Sequence, residues 1–203
     1  TIYSYSIPLQ PLWNLISIPL VPKDGEEDNT DINFVFDSDV SSKAERVWEY
    51  RYDEDEGRNV WNWNQPIGED GLGWSHDTLR IQNIIPGYGY YIKMDEEATI
   101  YQNGNKFYNV GQGVPMPPQV LLTPGWNLIG HYGTNNVYKG DEVQDLSGGI
   151  LTDLADITLL NEYAYPVYDY NNLEPAEGYW AFVTGQDNLW YAPSEADYSE
   201  GYD

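Results

Sequence analysis

The chain has 203 residues, with 33 Asp plus Glu against 9 Lys plus Arg and a formal net charge of −24. That balance excludes nucleic acid, whose phosphates need a basic surface, and argues against docking on anionic lipid. With no cysteine there is no disulfide framework and no thiolate metal site, and no run of about 18 apolar residues could span a membrane as a helix.

The residues that remain describe strands. Tyr (19) and Trp (8) favour pleated, half-buried surfaces, while Gly (19) and Pro (13) punctuate them, so the expected class is all-β. The chain opens at Thr1 without a basic and apolar leader, as a secreted protein would after signal cleavage.

Residues 1–10 alternate, with Tyr3, Tyr5, Ile7 and Leu9 on one face, the period of a half-buried strand. Pro8 and Pro11 close it and form a stiff hinge. Trp13 to Leu20 is a nearly continuous apolar run, fit for a core strand anchored by the Trp13 ring. An acidic loop follows at 23–31, then a strand at Ile32–Phe36, a helical turn at Ser41–Arg46 and strands at Val47–Tyr52 and Val60–Asn64. Residues 65–78 read as a Gly-rich loop and Leu79–Ile85 leads to a Pro86-Gly87 turn. Tyr88–Met94 is a strand, and Ala98–Tyr101 and Lys106–Val110 flank an Asn103-Gly104 hairpin turn. After the uncharged connector at 111–119 come a helical stretch at 141–160 and strands at Tyr163–Tyr170, Tyr179–Val183 and Leu189–Ala192. An acidic tail, 194–203, closes the chain.

Two phrases recur in the same order. Trp13-Asn14-Leu15-Ile16 returns as Trp126-Asn127-Leu128-Ile129, and Pro86-Gly87-Tyr88-Gly89-Tyr90-Tyr91 returns as Pro175-Ala176-Glu177-Gly178-Tyr179-Trp180. A duplicated module is the simplest cause. The expectation is two tandem β-sandwich or barrel-like modules at 11–110 and 120–193, joined by 111–119. The alternating strand 1–10 has no evident counterpart before the second copy, and Ala176-Glu177 reads as an enlarged Pro-Gly turn.

The phrases Trp13–Pro19, Val47–Tyr50, Pro86–Ile92 and Ala98–Gly104, with second copies of the first and third at Gly125–Ile129 and Glu177–Ala181, resemble a repeat of secreted and surface-layer-associated proteins of archaea and some bacteria. The resemblance implies an extracellular β module on a larger surface assembly, and it implies no catalytic residues.

Two candidate sites stand out from the pattern. Asp53-Glu54-Asp55-Glu56-Gly57 sets carboxylates at alternate positions before a glycine, the spacing of a Ca²⁺ loop with Asp53 and Asp55 as ligands, or else of a solvated acidic turn. Trp61, Trp63 and Trp74, with Tyr88 and Tyr90, are candidates for an aromatic platform under a sugar, core packing being the bland reading. His76 and His131 form no ligand pattern, and neither a nucleophile elbow nor a phosphate loop is present. A non-enzymatic protein with no required cofactor is expected.

The primary expectation is an extracellular structural subunit of a filament or surface layer. Copies of the chain would be linked by adding strand 1–10 to a neighbouring sheet through Tyr3, Tyr5, Ile7 and Leu9. The alternative is a monomeric module that binds polysaccharide through surface Trp and Tyr.

Overall fold

A computed structural model describes residues 2–67, 73–106, 108–109, 115–116, 120–131, 133, 137–138, 157–168, 172–185 and 189–191. The chain is all-β. Its first half carries β1 (Tyr3–Leu9), β2 (Leu12–Ser17), β3 (Val21–Asp24), β4 (Glu27–Asp28), β5 (Ala44–Asp53), β6 (Arg58–Asn64), β7 (Gly89–Met94) and β8 (Ala98–Asn105). Two short helices, α1 (Ile32–Val35) and α2 (Ser38–Ser41), lie between β4 and β5. Then follow β9 (Tyr108–Asn109), β10 (Pro115–Met116), β11 (Val120–Leu122), β12 (Gly125–Gly130), β13 (Val137–Tyr138), β14 (Ile157–Leu160), β15 (Pro166–Val167), β16 (Asn172–Leu173), β17 (Gly178–Val183) and β18 (Leu189–Tyr191).

In the first half the sheets β1-β8-β3-β4 and β2-β7-β5-β6 are antiparallel. One core gathers residues from both, among them Ile7, Leu9, Ile16, Val47, Tyr90, Ile92 and Ile100. In the second half the sheet β12-β17-β14-β15 and strand β11, which pairs with β18, supply a second core, with Val120, Leu122, Ile129, Leu159, Tyr179 and Ala181.

Several local expectations are corrected. Ile32–Val35 is helical because the Asp31 carboxylate caps it, accepting from the Asn33 amide at 2.8 Å. The Asp37 carboxylate starts α2 in the same way, so the helical turn precedes Ser42 and residues 44–53 are extended. Asn103-Gly104 is no hairpin turn: β8 runs straight through it, paired with β1 on one side and β3 on the other. Ile157–Leu160 is strand rather than helix, and among the described residues of the Tyr-rich segment Pro166–Val167 alone forms a strand. The rest of the expected helical stretch, the connector apart from Pro115 and Met116, and the acidic tail lie outside the described residues.

The repeated phrases do the same work in both halves. The Asn14 side chain accepts from the Gln10 amide at 2.9 Å and donates to the Gln10 carbonyl at 2.8 Å; Asn127 does the same with Thr123, at 2.9 and 2.8 Å. Each amide thus clamps the strand entry, in net terms about 1 kcal/mol per bond. The Tyr90 hydroxyl accepts from the Ile85 amide at 2.7 Å, and the Tyr179 hydroxyl from the Glu174 amide at 2.9 Å.

Two expectations about the second copy therefore change. β1 does have a counterpart: β11 precedes Trp126 and pairs with β18 as β1 pairs with β8. The second turn is not enlarged either. Ala176 adopts φ +67° where Gly87 adopts +89°, with the same number of residues on each side.

The two halves interlock through backbone. The Ser17 amide donates to the Ala176 carbonyl at 2.8 Å, and the corresponding Gly130 amide donates to the Gly87 carbonyl at 2.8 Å. Likewise Ile16 bridges to Glu177, and Ile129 to Tyr88. Each contact recurs with the halves exchanged, the pattern of an isologous interface.

Here the strands approach too closely for side chains. A Cβ on Gly89 would lie 2.7 Å from the Ile129 carbonyl oxygen, and one on Gly178 would lie 2.7 Å from Leu15. Ser17 and Gly130 themselves meet, since a Cβ on Gly130 would fall 2.0 Å from that of Ser17. Only one of the two corresponding positions can carry a side chain. Ser17 does, and its hydroxyl donates within the seam, where the carbonyls of His131 and Glu177 lie at 3.0 and 2.9 Å.

Gly130→Ala should cost about 3 kcal/mol or more, the upper range for overpacking. Exchanging the two residues (S17G/G130S) removes the Ser17 contact but leaves a Cβ at position 130 lying 2.7 Å from the Tyr88 carbonyl oxygen, so it should recover only part of that loss. Thermal unfolding of the three proteins checks both, and an exchange no better than G130A would contradict the seam.

Candidate functional site

In a strand whose alternate residues face a core, the others face away. In β2-β7-β5-β6 the residues facing away from the core form ladders fixed by register. Trp13 pairs with Lys93 and Lys93 with Arg46; Leu15 pairs with Tyr91, Tyr91 with Trp48 and Trp48 with Trp63; Tyr50 pairs with Trp61. In the second half Trp126 pairs with Phe182 and Phe182 with Thr158, while Leu128 pairs with Trp180 and Trp180 with Leu160.

Where the halves meet, these faces join into one aromatic surface. Trp13 stands edge-on to Tyr91 (centroids 6.3 Å apart, 88°) and Trp126 edge-on to Trp180 (6.1 Å, 87°). Tyr91 and Trp180 meet at 6.4 Å, and the Trp180 indole donates to the Tyr91 hydroxyl at 2.8 Å. Trp180 also packs on Tyr50 and Trp61, Trp61 on Trp48, Trp48 on Trp63, and Trp126 on Phe182. Six of the eight tryptophans belong to this surface. Trp13, Trp61 and Trp126 remain 52%, 47% and 43% exposed.

Trp61 and Trp63 thus lie where an aromatic platform was expected, and Trp74 does not. Trp74 is fully buried against Phe36, with its indole nitrogen donating to the Phe36 carbonyl at 2.7 Å. Tyr90 is buried as well, and Tyr88 is partly buried between the two cores. The converse correction concerns Trp13 and Trp126. Ile16 takes the core side of β2, so the Trp13 ring, an odd number of residues away, points outward. The alternation of Val47–Tyr52 was the available signal for Trp48, whereas Trp13 and Trp180 lie in nearly continuous apolar runs that give none.

Three cations sit over these rings. Arg46 lies 4.5 Å from the Trp63 ring centre and 5.8 Å from that of Trp48, Arg80 lies 3.3 Å from Trp63, and Lys93 lies 6.0 Å from Trp13. Beneath them, on the inner side of β5, Glu49 is buried with Arg51 at 3.1 Å and Asn62 donating at 3.2 Å. Burial raises the Glu49 carboxyl pKa against the pull of Arg51 and Asn62.

The other sequence candidates have simpler surroundings. The Asp53 carboxylate accepts from the Glu56 amide at 2.9 Å and shapes the β5–β6 turn, with Asp55 exposed in it. Among the described residues no three His, Cys, Asp or Glu converge as a metal site. Ile7 and Leu9 lie in the chain's own core, Tyr3 and Tyr5 are half-buried, and all seven residues of β1 pair with β8.

A scan against protein-family models finds no match, and searches of curated proteins and of solved structures find none either.

The seam carries one shifted carboxyl beside the aromatic surface. Burial, then the Glu162 and Glu174 carboxylates, push Glu177 up to about 7. A carboxyl with a higher pKa folded than unfolded loses its contribution to stability as pH rises from about 4.5 toward 7. Glu177→Gln should therefore raise the melting temperature at pH 8, and the gain should vanish by about pH 4.5. Melting curves across that range check the sign.

Proposed function

We propose that the chain is an extracellular binding module that holds a polysaccharide across the aromatic surface where its two halves meet. The observation that carries this reading is the joining of six tryptophans from both halves into one face, three of them about half exposed. Ring pairs add about 0.5–1.5 kcal/mol beyond burial, a modest return for rings left in water, and contiguous exposed apolar surface marks interaction sites.

A sugar fits this face better than a flat protein partner. The rings alternate with hydrogen-bonding and charged groups, namely the Tyr91 hydroxyl, Asn59 and Arg46, so apolar and polar contacts are offered together. A net charge of −24 also opposes close apposition of two copies. The resemblance to repeats of secreted surface proteins agrees with a location outside the cell.

In affinity gel electrophoresis with soluble polysaccharides, the intact protein should be retarded by at least one of them. W61A and W126A should each weaken binding about tenfold, near 1.4 kcal/mol, with unchanged circular dichroism. No retardation by any polysaccharide would overturn the reading.

A second reading, a filament subunit formed by strand exchange, has one observation in its favour. Leu12, the hinge between β1 and β2, has φ +75°, at the position where the second half has Gly125 at +93°. A non-glycine residue there stores about 1–3 kcal/mol, and β1 is an edge strand. Under this reading, ordered polymers seen by negative-stain microscopy disappear when residues 1–10 are deleted. A monodisperse monomer with and without Ca²⁺ would contradict it.

A further inference from the structure

The two halves share their strand register but not the chemistry of the aromatic face. Opposite Trp13, the ladder in the first half continues through Lys93 and Arg46; opposite Trp126, the same ladder continues through Phe182 and Thr158. Trp48 and Trp63 in the first half likewise correspond to Leu160 and Pro166 in the second. The fold is built without cations at these positions in one half, so their presence in the other is no demand of the scaffold.

Cations are scarce in this chain, 9 against 33 carboxylates, yet three of them lie over rings of this one face. Two have acidic neighbours: Lys93 pairs with Glu45 at 2.5 Å, and Arg80 lies 3.7 Å from Asp77. Arg46 has no carboxylate at ion-pair distance among the described residues. One Nη donates to the Gln65 side chain at 3.3 Å, and its buried Nε has no partner. Its guanidinium lies within cation–π distance of both Trp63 and Trp48, at 4.5 and 5.8 Å from the ring centres.

We propose that the bound polysaccharide is an acidic one, with its sugar rings on the tryptophans and its carboxylates at the Arg46–Lys93 end of the face. This rests on the polysaccharide-binding reading above and assigns its ligand class and polarity. Arginine is the side chain best suited to a carboxylate, through charge-assisted and forked hydrogen bonds. The overall negative charge does not forbid such a ligand. At physiological salt the Debye length is about 8 Å, so carboxylates across the molecule are screened while Arg46 and Lys93 act at contact. The Phe182–Thr158 end, being uncharged, takes neutral or esterified sugars, which gives the bound chain a direction.

The test compares four probes on the intact protein in EDTA, so that no divalent cation bridges acid to acid: polygalacturonate, its fully methyl-esterified form, hydroxyethyl cellulose and poly-glutamate. Polygalacturonate should bind at least tenfold more tightly than the ester, and raising salt from 50 to 300 mM should weaken the former alone. R46Q should abolish the preference by weakening polygalacturonate far more than the ester; K93Q should reduce it.

Equal binding of acid and ester, or an R46Q variant with undiminished preference, would overturn the proposal and leave polysaccharide binding standing. Poly-glutamate binding as tightly as polygalacturonate would also overturn it, by making the occupant an acidic polypeptide. Binding of none of the four would remove the underlying reading with it.

Discussion

The structure depends on how closely β2 and β12 approach where Ser17 faces Gly130. Two β-carbons cannot occupy that point, and the four strands around it are brought near enough to exchange backbone hydrogen bonds in both directions. Gly89 and Gly178 extend the close contact by accepting Leu128 and Leu15 of the other half. Ala176 reaches the first core, and Tyr88 touches both. The halves are therefore joined by hydrogen-bonded backbone and shared apolar contacts, in addition to the chain that links them.

That joint builds the aromatic face. Trp180 belongs to the second half, yet it packs on Tyr50, Trp61 and Tyr91 of the first, and Asn59 of the first half donates to the Trp126 carbonyl at 2.7 Å. Loosening the seam would separate the rings into two smaller patches. On this common frame the halves have diverged: the first presents indoles with cations over them, the second Trp126 and Trp180 beside Phe182. Two halves of like register but unlike faces give the aromatic surface two chemically different ends without any change of backbone.

Strand-forming segments with clear alternation were legible in the sequence. Val47–Tyr52 and Val60–Asn64 were read as strands because the period of two is strict there, although β5 begins earlier, at Ala44, where a helical turn was expected. What escaped was set by partners distant in sequence. Asn103-Gly104 has the composition of a turn, but pairing on both sides holds it straight. Ile32–Val35 looks like a strand by its apolar residues, and the caps of Asp31 and Asp37 decide otherwise. The repeated phrases pointed to like strands in the two halves but not to which face of each strand would be inward. Trp13 was read as a core anchor for that reason, and Trp74, the tryptophan that does fill the core, was read as surface. Of the proposed platform, Trp61 and Trp63 were found from their own alternation, and the contributions of Trp126 and Trp180 required knowing that the halves touch.

The most direct test of this account is amide hydrogen exchange of the intact protein at Ser17 and Gly130, whose N–H groups donate to the Ala176 and Gly87 carbonyls across the seam. If the halves form one cooperative unit, both amides exchange as slowly as the central amides of β7 and β17, through global unfolding alone. If they exchange orders of magnitude faster while those strands stay protected, the halves open independently, and the aromatic face is not a fixed surface.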